Sequence, residues 1–149
     1  MFFAKLHPLL VHFPIGLLVS GTLFELYGNF RGEKTVAKAG SFNIKLGFWC
    51  SIPVAVVGFL GLISLELKDE VKPFIANHLL FTLSTIAIFF FVILLSRFKD
   101  KTWGKVLYHF LLMIGLFTVL NAGFYGGELV HRRSEERRVG KECRSWWSP

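Results

Sequence analysis

Four long apolar runs constrain this chain more than any other feature: roughly Leu9 to Tyr27, Ile44 to Leu65, Leu79 to Leu95 and Val106 to Phe124. Each is close to the ~20 residues that a helix needs to span the hydrocarbon of a bilayer. No water is present there to satisfy backbone N–H and C=O groups, so a spanning segment is either a helix or a strand of a closed barrel. Barrel strands are short and alternate apolar with polar residues, whereas Ile86 to Leu95 is apolar throughout. The chain therefore reads as all-α, an integral membrane four-helix bundle. Its first run carries His12, Pro14 and Glu25 with no small-residue cleavage site after it, and so reads as a spanning helix rather than a secretory signal.

Composition agrees, since 53% of the 149 residues are apolar and the mean hydropathy is +0.53, too high for a water-soluble domain of this length. The bilayer is the expected partner. A net charge of +7 would raise nucleic acid in a soluble chain, but here the basic residues fill the gaps between apolar runs, so no nucleic-acid partner is expected. Arg31, Lys34, Lys38 and Lys45 surround the first gap, and Arg97, Lys99, Lys101 and Lys105 the third. In the second, Lys68 and Lys72 are balanced by Glu66, Asp69 and Glu70. Excess Lys and Arg marks cytoplasmic loops, which places both ends of the bundle outside, and short gaps favour an antiparallel up-and-down arrangement. No internal repeat is evident. Cys50 lies in an apolar run and Cys143 in the polar C-terminal segment, so neither a disulfide nor a thiolate metal site is indicated. Gly16, Ser20, Gly21, Gly58, Gly61, Gly115 and Gly123 are expected where helices approach closely, and Pro53 should kink the second helix.

Residues 1–131 thus form a four-helix transmembrane domain and 132–149 a polar tail, which we expect to be disordered. The stretch Ser134 to Pro149 resembles a read-through peptide found at the ends of many unrelated sequences in which adapter DNA has been translated. We expect it to replace the natural C-terminus and set it aside from functional reasoning.

Polar residues gather at the outer end: His7 and His12 on the first helix, Glu66 on the second, His78 on the third, and Asn121, Glu128 and His131 on the fourth. At 1.5 Å per residue His12 lies about 7 Å deeper than His7, a depth similar to that of Asn121. Ionisable residues below the interface are costly and usually face the bundle interior, so His12 is expected to point inward. Two histidines on different helices can ligate haem iron, with His12 and His78 the first pair to consider. For a divalent metal without haem, His7, His12 and His78 supply nitrogen donors and Glu128 an oxygen, although no compact motif such as HExxH is present. The same residues could instead cap helices and bond across them. Toward the other end, Glu25, Lys45 and His109 fall at comparable depth. An ion-paired lock is the simpler reading there, with a second haem or a proton path as the alternative.

The segment LHPLLVHFPIGLLVSGTLFELYG, Leu6 to Gly28, together with GGELV at Gly126 to Val130, resembles the bacterial integral-membrane family named domain of unknown function 2231. The resemblance extends to His131. It implies a small four-helix inner-membrane domain found near electron-transfer components, whose histidines would bind haem b or a metal. His7, His12, His78, Gly126, Gly127 and Glu128 occupy the matching positions. Two departures stand out: Phe124 and Tyr125 precede the paired glycines where some relatives have a histidine, and the Arg-His-Gly continuation of relatives is missing.

The chain is therefore expected to bind haem b or a divalent metal through His7, His12 and His78, with Glu128 and Asn121 beside them, and to support redox chemistry with electron-transfer membrane proteins. Substrate turnover of its own is not expected. A structural or assembly subunit without cofactor is one alternative, and a small-ion or proton transporter using His12 and Glu128 another. Reporter fusions at Lys34 and Phe74 should lie on opposite sides of the membrane. If both report the same side, the histidines cannot share a layer.

Overall fold

The computed structural model describes residues 2–63, 71–99 and 101–145, with side chains described between residues 6 and 131 of those segments. Its helices are α1 (Phe2–Leu10), α2 (His12–Arg31), α3 (Lys34–Ile63), α4 (Lys72–Leu95) and α5 (Thr102–Ser145), with a 3-10 turn over Ser96–Phe98. Four stretches are long and apolar enough to cross a membrane: Leu6–Arg31, Lys34–Ile63, Lys72–Phe98 and Thr102–His131. Each is longer than its apolar run because hydropathy marks the hydrocarbon part alone, while the helix continues into the headgroup layer. Residues 132–145, set apart above as a polar tail, continue α5 as helix, and their many Arg, Glu and Lys residues are good helix formers.

α1 and α2 make one jointed span. Helical bonding passes through Val11, whose N–H donates to the His7 carbonyl at 3.0 Å and whose carbonyl accepts from Ile15 at 3.2 Å. Pro8 and Pro14 flank this joint, and neither has an N–H for the ladder. Pro53 lies inside α3, which is unbroken. Consecutive spans pack as hairpins, α2 on α3 and α4 on α5, and the ring closes through α3 with α4 and α2 with α5. This is the antiparallel up-and-down bundle. A two-residue link joins α2 to α3, where Gly32 at φ 74° takes the left-handed conformation that ends α2.

A core of Leu18, Ile44, Phe48, Phe89, Val92, Tyr108, Leu112 and Val119 fills the centre. Only 17–33% of each span is buried, and side chains such as Phe42, Trp49, Leu83, Phe110 and Phe117 point outward. That much exposed apolar surface suits lipid and no aqueous solvent. Lipid tails are as apolar as the core, so helix association rests on close fit and polar contacts. The fit between α2 and α3 comes from glycine at seven-residue spacing on each helix, with Gly21 against Gly40 and Ile44, Gly28 against Ala37, and Gly47 against Leu17 and Leu18. A methyl at Gly21 would stand 2.9 Å from Ile44 N, and one at Gly47 3.0 Å from Leu17 Cβ. Gly16, by contrast, has nothing within 4 Å, so the close-packing role expected for it is not met.

One buried charge ties the basic end together. Glu25 on α2 is 2% exposed and pairs through Oε1 with Lys99, in the turn between α4 and α5. Asn29 Nδ2 donates to the same oxygen at 3.5 Å, and the Lys99 ammonium stands 3.9 Å from the centre of the Tyr108 ring. The partner expected from the sequence was Lys45, but that side chain is exposed, and His109 turns back to the carbonyl of Lys105 at 2.7 Å. Depth along a helix does not fix azimuth, whereas Lys99 reaches inward from the turn above.

Lys99→Ala leaves a buried carboxylate without its counter-ion and should cost about 3 kcal/mol, the low end for a broken buried pair because Lys99 is partly exposed. Thermal unfolding in detergent measures the loss. Pairing Glu25→Gln with Lys99→Met should restore most of it, and a double variant no better than Lys99→Ala would deny the pair its role.

Candidate functional site: two imidazoles seated on glycine

At the other end of the bundle the chain builds one arrangement twice. His7, on α1, lies against α3, with its Nδ1 3.1 Å from the carbonyl oxygen of Val54. His78, in the second turn of α4, lies against α5, with its Nδ1 3.0 Å from the carbonyl oxygen of Ala122. A carbonyl can only accept, so in both rings Nδ1 carries the proton and donates it. In the neutral ring the lone pair is then on Nε2.

Each carbonyl precedes a glycine by four residues, Val54 before Gly58 and Ala122 before Gly126. Within a helix that carbonyl already accepts the N–H of the glycine, and the ring takes its second lone pair. The missing side chain makes room. A methyl at Gly58 would lie 2.7 Å from His7 Cε1 and 2.8 Å from its Nδ1, and one at Gly126 would lie 3.1 Å from His78 Cε1. The two rings meet edge to face, their centroids 6.2 Å apart and their planes at 78°. Both imidazoles are half-buried.

The other residues singled out in the sequence are placed differently. His12 is exposed, and its Nδ1 donates to the Pro8 carbonyl of its own helix at 2.7 Å. The inward orientation expected of it is therefore incorrect, and His7 stands opposite His78 in its place. The reason is helical phase: five residues at 100° each put His7 and His12 about 140° apart, so both cannot face the bundle. Asn121 is half-buried and donates to its own-helix carbonyl of Phe117 at 2.8 Å. Glu128 is half-buried and engaged with a neighbour, and His131 is exposed. Glu66 lies outside the described residues.

Among the described residues no three His, Cys, Asp or Glu side chains come together as a metal site. Two imidazoles are too few for a closed zinc-type site, which takes four protein ligands. A haem would ask less of the protein: His7 and His78 are the residues that would hold it, and it would supply one-electron transfer. The described residues thus offer two imidazoles and no protein-only metal cage.

Fold and site together define a small multi-pass membrane protein whose four spans meet at a paired-imidazole layer near one face. The chain belongs to the family described as predicted membrane protein DUF2231, whose profile matches residues 4–135. No curated protein and no solved structure matches it.

Gly58→Ala should displace His7 from its seat, whereas the looser contact at Gly126 lets Gly126→Ala keep most of the His78 bond. Nitrogen-15 NMR of the histidine rings checks both, since loss of the Nδ1–H signal is expected for His7 in the first variant. An unchanged His7 signal would deny the seat its role.

Proposed function

We propose that this protein is a bacterial inner-membrane redox component that holds haem b between His7 and His78, with the histidine end outside. The observation that carries this reading is the matched pair of Nδ1–H donations, to Val54 and to Ala122. A backbone bond of this kind fixes ring orientation and tautomer in metal-ligating histidine, presenting Nε2 to the metal. The family gives this reading a membrane setting. Bound haem would supply one-electron transfer, and the chain's own part is to hold the rings in place from two hairpins at once. Electron-transfer proteins in the same membrane are the partners such a centre would serve. Turnover of a substrate is not part of this reading.

A second reading has its own support. Both histidine bonds cross between helices, so they also fix the register of α1 on α3 and of α4 on α5 without any ligand, as an assembly subunit would require. A transport route has less in its favour, because Leu18, Phe48, Phe89, Leu112 and Val119 fill the space between the histidine layer and Glu25.

Purification in detergent followed by absorption spectroscopy and metal analysis decides between them. Haem binding predicts a Soret band at about one haem per chain, lost in His7→Ala and in His78→Ala and retained in His12→Ala. A purified protein that gains no Soret band when haem is added overturns the haem reading, and loss of assembly in both alanine variants would then favour the register reading.

A further inference from the structure

The basic end carries a second feature with no part in the imidazole site. Between α2 and α5 lies a cleft of about 710 Å³, lined by Leu26, Tyr27, Asn29, Phe30, Lys105, Val106 and His109. That volume falls in the usual range for small-molecule sites. Its walls are mainly apolar, with Asn29 and Lys105 near the end of the bundle and His109 about 6 Å deeper than Lys105. Tyr27 to Phe30 belong to the last turns of α2, and Lys105 and Val106 to the first turn of α5. The cleft therefore spans the boundary between hydrocarbon and headgroups, where an amphiphile has its polar head above and its chain below.

Charge selects among amphiphiles. The helix ends beside the cleft are of opposite sense, the C-terminus of α2 and the N-terminus of α5, so their partial charges offset. Side chains then decide the sign. Lys105 stands on the rim, with Arg31, Lys34, Lys38 and Lys101 exposed at the same end and, among the described residues, Glu33 the exposed acid there. His109 donates Nδ1–H to the Lys105 carbonyl, which holds its ring against the first turn of α5, and Asn29 is tied to Glu25. The polar edge of the cleft is thus held in place, and it is positive.

We infer that this cleft binds one anionic phospholipid, its phosphate at Lys105 and an acyl chain running inward past Phe30 and Val106 to Leu26 and His109. Juxtamembrane basic residues attract anionic lipid in general. The cleft adds a fixed position, and with it a stoichiometry.

The test reconstitutes the full chain in bilayers of phosphatidylcholine with a minor fraction of phosphatidylglycerol, extracts it gently and measures the retained lipid by mass spectrometry. About one phosphatidylglycerol per chain is expected, enriched several-fold over its bilayer fraction. Val106→Trp, on an exposed position, fills the cleft without changing charge and should abolish the enrichment, as should Lys105→Ala. Lys38→Ala, which removes the same charge elsewhere at this end, should retain it. The inference is overturned if Val106→Trp keeps the enrichment, if Lys38→Ala loses as much as Lys105→Ala, or if both lipids are retained in proportion to the bilayer.

Discussion

Apolar side chains gain almost nothing by leaving lipid for one another, and the rest of this structure depends on that constraint. A soluble bundle of this size would be held by burying its apolar faces from water. In hydrocarbon that difference disappears, leaving contact fit and hydrogen bonds as the means of association. The chain uses fit along the α2–α3 seam, where glycines seven residues apart let the backbones approach. It uses polar contact at the two ends, where water and headgroups are near enough to lower the cost.

The two ends are held by different chemistry. At the basic end a single ion pair, Glu25 with Lys99, connects α2 to the turn between α4 and α5, and so joins one hairpin to the other. At the histidine end each hydrogen bond stays within a hairpin, His7 on α3 and His78 on α5, and the rings alone meet across the gap. The first connection is complete as it stands. The second holds its parts in position and leaves the link between hairpins to ring contact, which is the place where a ligand shared by both rings would contribute most.

The architecture was legible in the sequence because spanning helices follow from hydropathy and length, and hairpin order follows from short gaps. The shared layer of His7 and His78 could be read for the same reason, since depth depends only on counting residues from a helix end. Azimuth was harder. The phase difference between His7 and His12 is present in the sequence, and applying it would have shown that only one of them can face inward. Lys99 could not be found by depth, because a lysine in a turn reaches inward along its own side chain. Gly58 and Gly126 look like ordinary packing residues, and their role as seats depends on a ring from another segment, beyond any local pattern. The duplicated seat likewise escapes a search for repeats, since the two copies share a histidine, a glycine and a spacing but little else.

That duplication bears on why imidazole is used. If the aim were only to pin one helix to another, a serine or asparagine could reach a neighbouring carbonyl without needing an open seat. The His7 ring needs glycine beneath it and the His78 ring lies close over one, and glycine inside a helix costs roughly 1 kcal/mol relative to alanine in water. The chain accepts that cost at Gly58 and again at Gly126, each time to place a ring whose Nδ1 is engaged by the backbone. What imidazole offers beyond serine or asparagine is its second nitrogen, a lone-pair donor to metals. Two such nitrogens on facing hairpins are what the proposed haem site would draw on, beyond register alone.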